Sequence, residues 1–345
     1  MDSSKSSGST APISLLVTGA GGAGTIEILR TLKSMGRYRL IAVDASAYAH
    51  GLTLADSSYV IPLATSPDYI CAMDAILECE RPDYVIPLVD EEILPIHAMA
   101  SRHSFVVIAP REDFCRLCLD KWRLSRILPT IGVPAPPTWL GTDGLSVEYP
   151  AVIKPRTGRG SRGVEIVQGP GDLARYLSGL SRSADEYVIQ QNLSGREYTV
   201  SVVVGLDGQT LAVVPKEAIE KRGITQVGAT RIVPSIDAVC RRIQDELRAA
   251  GPFNVQLMLG PDGVPRIFEI NPRYSTTTAL TIASGIHEVD IVIRHHRGDR
   301  VGPLAFQADL LMMRHVTQTY TPESARPQPQ KMSVQAAVQP GPIGP

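Results

Sequence analysis

Arg266-Ile267-Phe268-Glu269-Ile270-Asn271-Pro272-Arg273 is the stretch on which the reading of this chain turns. Its alternation predicts a β-strand. Glu269 and Asn271, two residues apart, then share one face, and Phe268 and Ile270 are expected on the opposite, apolar side. A carboxylate, a carboxamide oxygen and an arginine in that order can hold a hard divalent cation and the phosphates it bridges. The preceding run Asn254-Val255-Gln256-Leu257-Met258-Leu259 reads as the hairpin partner, with Pro261-Asp262-Gly263 as the turn. If Pro261–Val264 form a four-residue loop, Gly260 pairs with Pro265 and Gln256 falls opposite Glu269 on the same face. A polar, solvent-facing hairpin edge is the competing reading.

Working back along the chain, a second segment carries charge into a flexible loop. Ala151-Val152-Ile153-Lys154-Pro155 ends a strand, and Arg156-Thr157-Gly158-Arg159-Gly160-Ser161-Arg162-Gly163-Val164 follows before the next strand. No Gly-Lys-Ser/Thr leads into a helix, so this is not a Walker loop. Small residues and cations suit a lid that closes on polyphosphate; a solvated hairpin loop is the alternative. Lys154, set among apolar strand residues, argues for an anion, because burying an ammonium alone is unfavourable. A third segment, Gly19-Ala20-Gly21-Gly22-Ala23-Gly24, follows a strand and opens a helix, with Asp44 ending the next strand. That turn serves either a dinucleotide or close helix–sheet packing. A nicotinamide-dependent reductase therefore stands as an alternative function.

The chain has 345 residues, with 34 Lys+Arg against 35 Asp+Glu and a formal net charge of -1. No overall basic field exists to attract nucleic acid, and only 5% of residues are aromatic, too few for a base-stacking surface. No apolar run reaches the roughly 18 residues of a membrane span, and the N-terminus lacks the apolar centre of a secretory signal. Five cysteines make no disulfide scaffold. A cytoplasmic protein is expected, with no nucleic-acid or membrane partner; homodimers are the commonest assembly of such chains. Cys115 and Cys118 have metal-like spacing without a second pair, and read as packing positions on a helix. His295-His296 reads as a helix C-terminus.

Strands at 13–18, 39–44, 59–63, 83–89 and 105–109 alternate with helical stretches at 25–35, 68–80 and 91–103, which predicts a parallel sheet. The expected organisation is a disordered leader (1–12), an α/β domain (13–110), a helical connection (111–134) with one long helix to Leu128, a lid subdomain (135–204), a C-terminal subdomain (205–321) and a Pro/Gln-rich tail (322–345). From 135 onward the pattern is α+β with antiparallel sheets. Asp90-Glu91-Glu92 could meet a substrate amine or simply suit a helix dipole. Lys216, Arg222 and Arg231 could bind a substrate carboxylate or decorate a loop.

The three segments, with Asp120-Lys121-Trp122-Arg123, Val188-Ile189-Gln190-Gln191 and Gly195-Arg196-Glu197-Tyr198-Thr199-Val200, resemble the ATP-grasp superfamily, in particular its carbamoyl-phosphate-synthetase-like carboxylate–amine ligases. The resemblance spans about 13–300 and implies an α/β N-terminal pre-ATP-grasp domain with a parallel sheet, followed by an α+β ATP-grasp fold. It implies ATP and Mg²⁺ (or Mn²⁺) as cofactors and small-molecule carboxylate and amine (or thiol) substrates. It also implies an acyl-phosphate intermediate, with release of ADP and phosphate. Carried over residue by residue, Lys121 and Lys154 match phosphate binders, and Gly158, Gly160, Ser161 and Gly163 the lid. Gln190, Gln191, Asn192 and Leu193 match the adenine linker, and Glu197 the ribose acceptor. Gln256, Glu269 and Asn271 match metal ligands, while Lys154 and Arg273 match the catalytic cations. Many relatives carry an acidic residue where this chain has Gln256, which leaves less negative charge for the ions. A catalytically silent ATP-binding scaffold is the remaining alternative.

Overall fold

The computed structural model describes residues 11–160, 162–180, 182–301, 304–320 and 322–323. Ser161 of the expected lid lies outside the described residues, as do residues 1–10 of the leader and 324–345 of the tail.

The first part alternates β1 (Ile13–Val17), α1 (Thr25–Ser34), β2 (Tyr38–Asp44), β3 (Ser57–Val60), α2 (Tyr69–Glu80), β4 (Tyr84–Ile86), α3 (Asp90–Met99) and β5 (Val106–Val107). Its five strands pair in parallel in the order β3-β2-β1-β4-β5. Helices cover both faces, which is why Leu15, Leu16 and Val17 form an unbroken buried run instead of an alternating one. The order reverses at β1. The turns after β1 and β4 therefore lie side by side, in the place where α/β sheets open their crevice. Those turns are the Gly-rich segment and the acidic start of α3.

The single helix expected up to Leu128 is two: α4 (Glu112–Cys118) and α5 (Lys121–Ile127). Asp120 breaks it, because its extended backbone lets Oδ1 accept the Trp122 and Arg123 amides at 3.1 Å each. The restart fixes where Lys121 begins its helix.

Next come β6 (Thr138–Leu140), β7 (Ala151–Pro155), β8 (Glu165–Val167), α6 (Pro170–Ser178) and β9 (Tyr187–Gln191). The four strands make an antiparallel sheet, β6-β9-β7-β8. Then follow β10 (Arg196–Val204), β11 (Thr210–Arg222), β12 (Ile224–Thr230), α7 (Pro234–Leu247), β13 (Phe253–Leu259), β14 (Pro265–Asn271), α8 (Thr278–Ala283), α9 (Glu288–His296) and β15 (Leu311–Met313). These build a six-stranded antiparallel sheet, β14-β13-β10-β11-β12-β15. The strand at 196–204, grouped by sequence with the lid, belongs to this larger sheet, so the 135–204 grouping is divided. One face of the larger sheet (Val200, Val202, Val255, Leu257, Ile267, Ile270) packs on α4, α5 and α7. On the other face, Val203, Ala212 and Val214 pack toward α1 and α9. Burial on both faces makes this sheet a rigid floor for whatever it presents at its end.

Candidate active site

A cavity of about 290 Å³ lies between the two antiparallel sheets, under the loop that joins β7 to β8. Lys121, Lys154, Gly158, Gly160, Gln190, Gln191, Asn192, Leu193, Glu197, Gln256, Glu269, Asn271 and Arg273 all line it, although they come from five separate stretches of chain. Gly163, also expected in the lid, does not. It closes the loop from behind, where its carbonyl accepts the Tyr176 hydroxyl at 2.7 Å.

The β13–β14 hairpin delivers its three polar groups by a route the sequence did not suggest. Gln256 does face Glu269, and Asn254 faces Asn271. However, Leu259 pairs with Pro265, which makes the loop one residue longer than expected, and Leu257 faces Ile267, so the register is recovered at Phe268. A β-bulge there inserts one extra residue. The consequence is that Phe268 does not join the apolar side with Ile270. It lines the cavity instead, its ring 5.4 Å from Lys154 Nζ, while Ile267 and Ile270 both enter the core.

Lys154, 5% exposed, donates to Gln190 Oε1 at 2.9 Å and to the Phe268 carbonyl at 3.4 Å. Burial pulls its pKa down to about 8; Glu269 resists the fall and Lys121 adds to it. Gln190 also donates to Thr138 Oγ1 at 3.0 Å, so both ends of its side-chain amide are held by the protein. Lys121 Nζ donates to the Gly158 carbonyl at 2.8 Å and lies 3.8 Å from Glu269 Oε1. Arg156 at the lid root makes paired bonds to Asp120 (2.9 and 2.7 Å), and Lys121 N donates to Arg156 O at 3.0 Å. These bonds tie the start of α5 to the root of the lid. Gly158 adopts φ 121°, a conformation open to glycine but strained for other residues.

The sequence did not show which partners the remaining cations take. Glu197 accepts from Lys221 at 2.6 Å. Arg273 donates to Asp90, and Arg159 to Glu91 at 2.8 Å, so two of the three acids that start α3 reach into the cleft. Glu92 is buried beneath the Gly-rich turn, where burial pushes its carboxyl up to about 7. Lys216 lies in the interior. Arg231 binds Glu217 and Asp309, while Arg222 is exposed at the β11–β12 turn. Arg314, which no motif marked, donates to the carbonyls of Thr225 (3.2 Å) and Thr276 (2.9 Å), two residues of the cavity wall.

The first Gly-rich turn serves packing. Asp44 Oδ2 accepts the Gly21 amide at 2.8 Å, which satisfies the turn from within the protein. A Cβ on Gly24 would lie 2.7 Å from the Ser275 carbonyl, so glycine there lets the turn press against the loop after β14. The nicotinamide alternative finds no support in this arrangement. Cys115 and Cys118 are buried and free, and no cluster of three His, Cys, Asp or Glu suited to a metal occurs among the described residues. The expected metal set thus contains one carboxylate, Glu269, supplemented by two amides. Among the described residues no helix is long and apolar enough to cross a membrane.

Residues 183–319 match the family described as ATP-grasp in the biosynthetic pathway with Ter operon, and residues 15–107 match the PylC-like N-terminal domain. The formate-dependent phosphoribosylglycinamide formyltransferase of Mycolicibacterium gilvum (strain PYR-GCK) is 25% identical over 295 residues, 78% of this chain and 72% of that protein. The biotin carboxylase domain of Hydrogenobacter thermophilus 2-oxoglutarate carboxylase, solved with MgADP, ADP and bicarbonate, has a TM-score of 0.67 at 18% identity. It covers 85% of this chain and 71% of its own. N5-carboxyaminoimidazole ribonucleotide synthetase from Thermus thermophilus also gives 0.67, at 16% identity, over 84% of this chain and 79% of its own. A parallel-sheet domain leading into two antiparallel sheets that clasp a cation-rich cavity is the ATP-grasp fold, and the sequence matches place an ATP-grasp region at residues 183–319 behind a PylC-like N-terminal domain at 15–107.

Proposed function

We propose that this protein is an ATP-dependent carboxylate–amine (or thiol) ligase that works through an acyl-phosphate and releases ADP and phosphate. One observation carries the reading. Among the described residues six cations (Lys121, Lys154, Arg159, Arg162, Lys221, Arg273) and two carboxylates (Glu197, Glu269) line the cavity, while Asp90 and Glu91 pair with Arg273 and Arg159. The positive charge that remains after these four acids suits a nucleoside triphosphate.

In this reading the backbone of Gln190–Leu193 meets the adenine and Glu197 accepts from the ribose, giving up part of its bond to Lys221. Lys121 and Lys154 hold the α- and β-phosphates. Glu269 and Asn271, with Gln256, would hold Mg²⁺ (or Mn²⁺). Asn271 donates its Nδ2 toward Asn254 Oδ1 at 3.4 Å, which leaves its oxygen for a cation. A divalent ion held there would supply charge neutralisation for the phosphates. With one carboxylate in the set, such an ion would arrive with the nucleotide rather than wait for it.

A substrate carboxylate oxygen attacks the γ-phosphorus and ADP leaves; an amine nitrogen then attacks the acyl carbon and phosphate leaves. No side-chain nucleophile is needed. The protein supplies in-line placement and charge neutralisation by Lys154 and Arg273, and the Gly158–Gly163 loop excludes water from the acyl-phosphate. For Arg273 to meet the transferring group, it must leave Asp90. Formate and bicarbonate, named for the two relatives above, are the first carboxylates to try.

Thermal shift with Mg-ATP against NADPH tests the reading, with ADP release in the presence of formate, bicarbonate or amino acids as the second step. Stabilisation by Mg-ATP and not by NADPH is expected. Stabilisation by NADPH alone would overturn the assignment, and binding without ADP release under any carboxylate would favour the silent scaffold.

A further inference from the structure

Lys216 is a buried cation, 2% exposed, that no step of the proposed reaction uses. The sheet register places it in a telling row. On neighbouring strands Glu269 opposes Gln256, Gln256 opposes Thr199, and Thr199 opposes Lys216. Residues directly opposite each other share a face, so Lys216 projects to the side that carries the expected cation ligands, two strands beyond Gln256.

There it lies beneath the turn that follows Arg273. Its ammonium donates to Ser201 Oγ at 2.6 Å, Thr281 Oγ1 at 2.7 Å and Ser275 Oγ at 3.3 Å. All three of its donors are thus engaged by hydroxyls. Ser275 Oγ also accepts the Thr277 amide at 3.2 Å, so its own proton is directed away from the ammonium, toward Thr277 Oγ1 at 2.9 Å. From the other side the buried Glu288 carboxylate accepts from Thr278 Oγ1. The stretch from Ser275 to Thr281 is therefore fastened between a buried cation and a buried anion.

That stretch is the wall of the cavity next to Arg273, since Ser275 and Thr276 both line it. The Arg273 guanidinium donates to the Tyr274 carbonyl at 3.2 Å, so the turn carries one of the acceptors that orient it. Packing alone does not call for a lysine here: Ala212 and Val214, on the same face of the same strand, are apolar members of the core. Burial draws the Lys216 pKa down to about 8 against the pull of Glu288, so an apolar residue would be the easier occupant.

From this arrangement we infer that Lys216 is a positioning residue for the phosphoryl-accepting end of the cleft, pinning the Tyr274–Thr278 turn so that Arg273 and Ser275 meet the transferring group. The inference rests on the proposed ATP-dependent reaction. It separates two ends of the site: the end that binds ADP, which Lys216 does not touch, and the end that meets the γ-phosphoryl, which it holds.

The test compares binding of Mg-ADP alone with binding of Mg-ADP plus aluminium fluoride, a mimic of the phosphoryl group in flight, for wild type, Lys216→Met, Thr281→Val and Ser275→Ala. Wild type should bind the fluoride complex more tightly than Mg-ADP. Lys216→Met should keep the Mg-ADP affinity within about twofold and lose at least roughly tenfold of the extra tightening. Ser275→Ala and Thr281→Val, which each remove one hydroxyl of the cage, should lose part of it, and they carry the test if Lys216→Met does not fold. A variant set that keeps the tightening, or that loses Mg-ADP affinity and tightening in equal measure, overturns the inference. So does a wild type that binds Mg-ADP without any tightening. A wild type that does not bind Mg-ADP at all sinks the ATP-dependent reading instead.

Discussion

Replacing Lys154 by Met should stabilise the empty protein and weaken its hold on nucleotide, two effects of opposite sign from one side chain. Its pKa falls from 10.5 to about 8 through burial. At about 1.4 kcal/mol per pH unit, the wild-type fold is roughly 3 kcal/mol less stable at neutral pH than if that ammonium were solvated. Methionine removes the charge and keeps most of the volume. It also leaves Gln190 Oε1 without its 2.9 Å donor, a loss of about 1 kcal/mol. A net gain of roughly 2 kcal/mol follows, or a melting temperature higher by about 2–4 °C for each kcal/mol.

The pH dependence supplies the check on cause. The lysine is protonated in the unfolded chain up to pH 10.5 and in the folded chain only up to about pH 8. The wild-type deficit is therefore full below pH 8 and disappears as pH rises through 10.5. The advantage of the variant should be largest at pH 7 and vanish at about pH 10, and by pH 10.5 the lost hydrogen bond should leave the variant slightly less stable than wild type. Affinity for a non-hydrolysable Mg-ATP analogue should meanwhile fall by roughly 30- to 150-fold, at about 2–3 kcal/mol for a lost charge-assisted contact. Urea melts at both pH values and calorimetric titration read the two effects. A variant that is less stable at pH 7, or one that binds the analogue as wild type does, would refute the reasoning.

Glu269→Gln should abolish ADP release with the melting temperature nearly unchanged, measured by a coupled assay beside a thermal melt; turnover near the wild-type rate rejects the metal assignment. Nucleotide binding above pH 8 should take up protons, because phosphate beside Lys154 raises the depressed pKa of that group. Titrations in buffers of different ionisation heat will show it, and the dissociation constant should rise with pH by up to about tenfold per unit for one linked proton. Asp120→Ala removes a helix cap and the Arg156 partner together, so stability should drop by about 1–2 kcal/mol. Nucleotide affinity should drop with it, as Lys121 and the lid root lose their shared anchor; unchanged affinity would mean that the anchor is structural only.

Most of the fold was readable because periodicity and turn residues act locally. The buried runs of β1 and β2, the glycine turns and the Pro261-Asp262-Gly263 hairpin each specify a strand or its end within a few residues. What was not readable depended on contacts distant in sequence or on local backbone detail. No alternation rule reports a bulge at Phe268, and the longer loop and the bulge offset each other, so Gln256 meets Glu269 by a path the simple count does not contain. The expected helix to Leu128 failed at one residue because Asp120 can bond either to Arg156, 36 positions away, or to the amides ahead of it, and here it does both. Arg314 carried no motif at all. Its role arises only where β15 runs beside β12, which the sequence cannot show.

A cleft lined by six cations must be tolerable when it holds nothing, and the resting partners explain how. Arg273 has Asp90, Arg159 has Glu91, Lys221 has Glu197, and Lys121 lies near Glu269. A triphosphate therefore does not fill a field of bare charge; it exchanges these carboxylates for phosphate oxygens, and each exchange nearly balances. Lys154 is different. Its partners among the described residues are an amide oxygen, a carbonyl and the face of Phe268, none of them charged. It alone among the buried members of the set gains a full counter-charge when phosphate arrives, so more of the binding free energy should pass through it than through any of its neighbours. Single substitutions should accordingly rank with Lys154→Met weakening the nucleotide analogue most and Lys221→Met least, since loss of Lys221 also releases Glu197 for the ribose. A ranking in which Lys221→Met is the more damaging would mean that the resting pairs do not survive in solution.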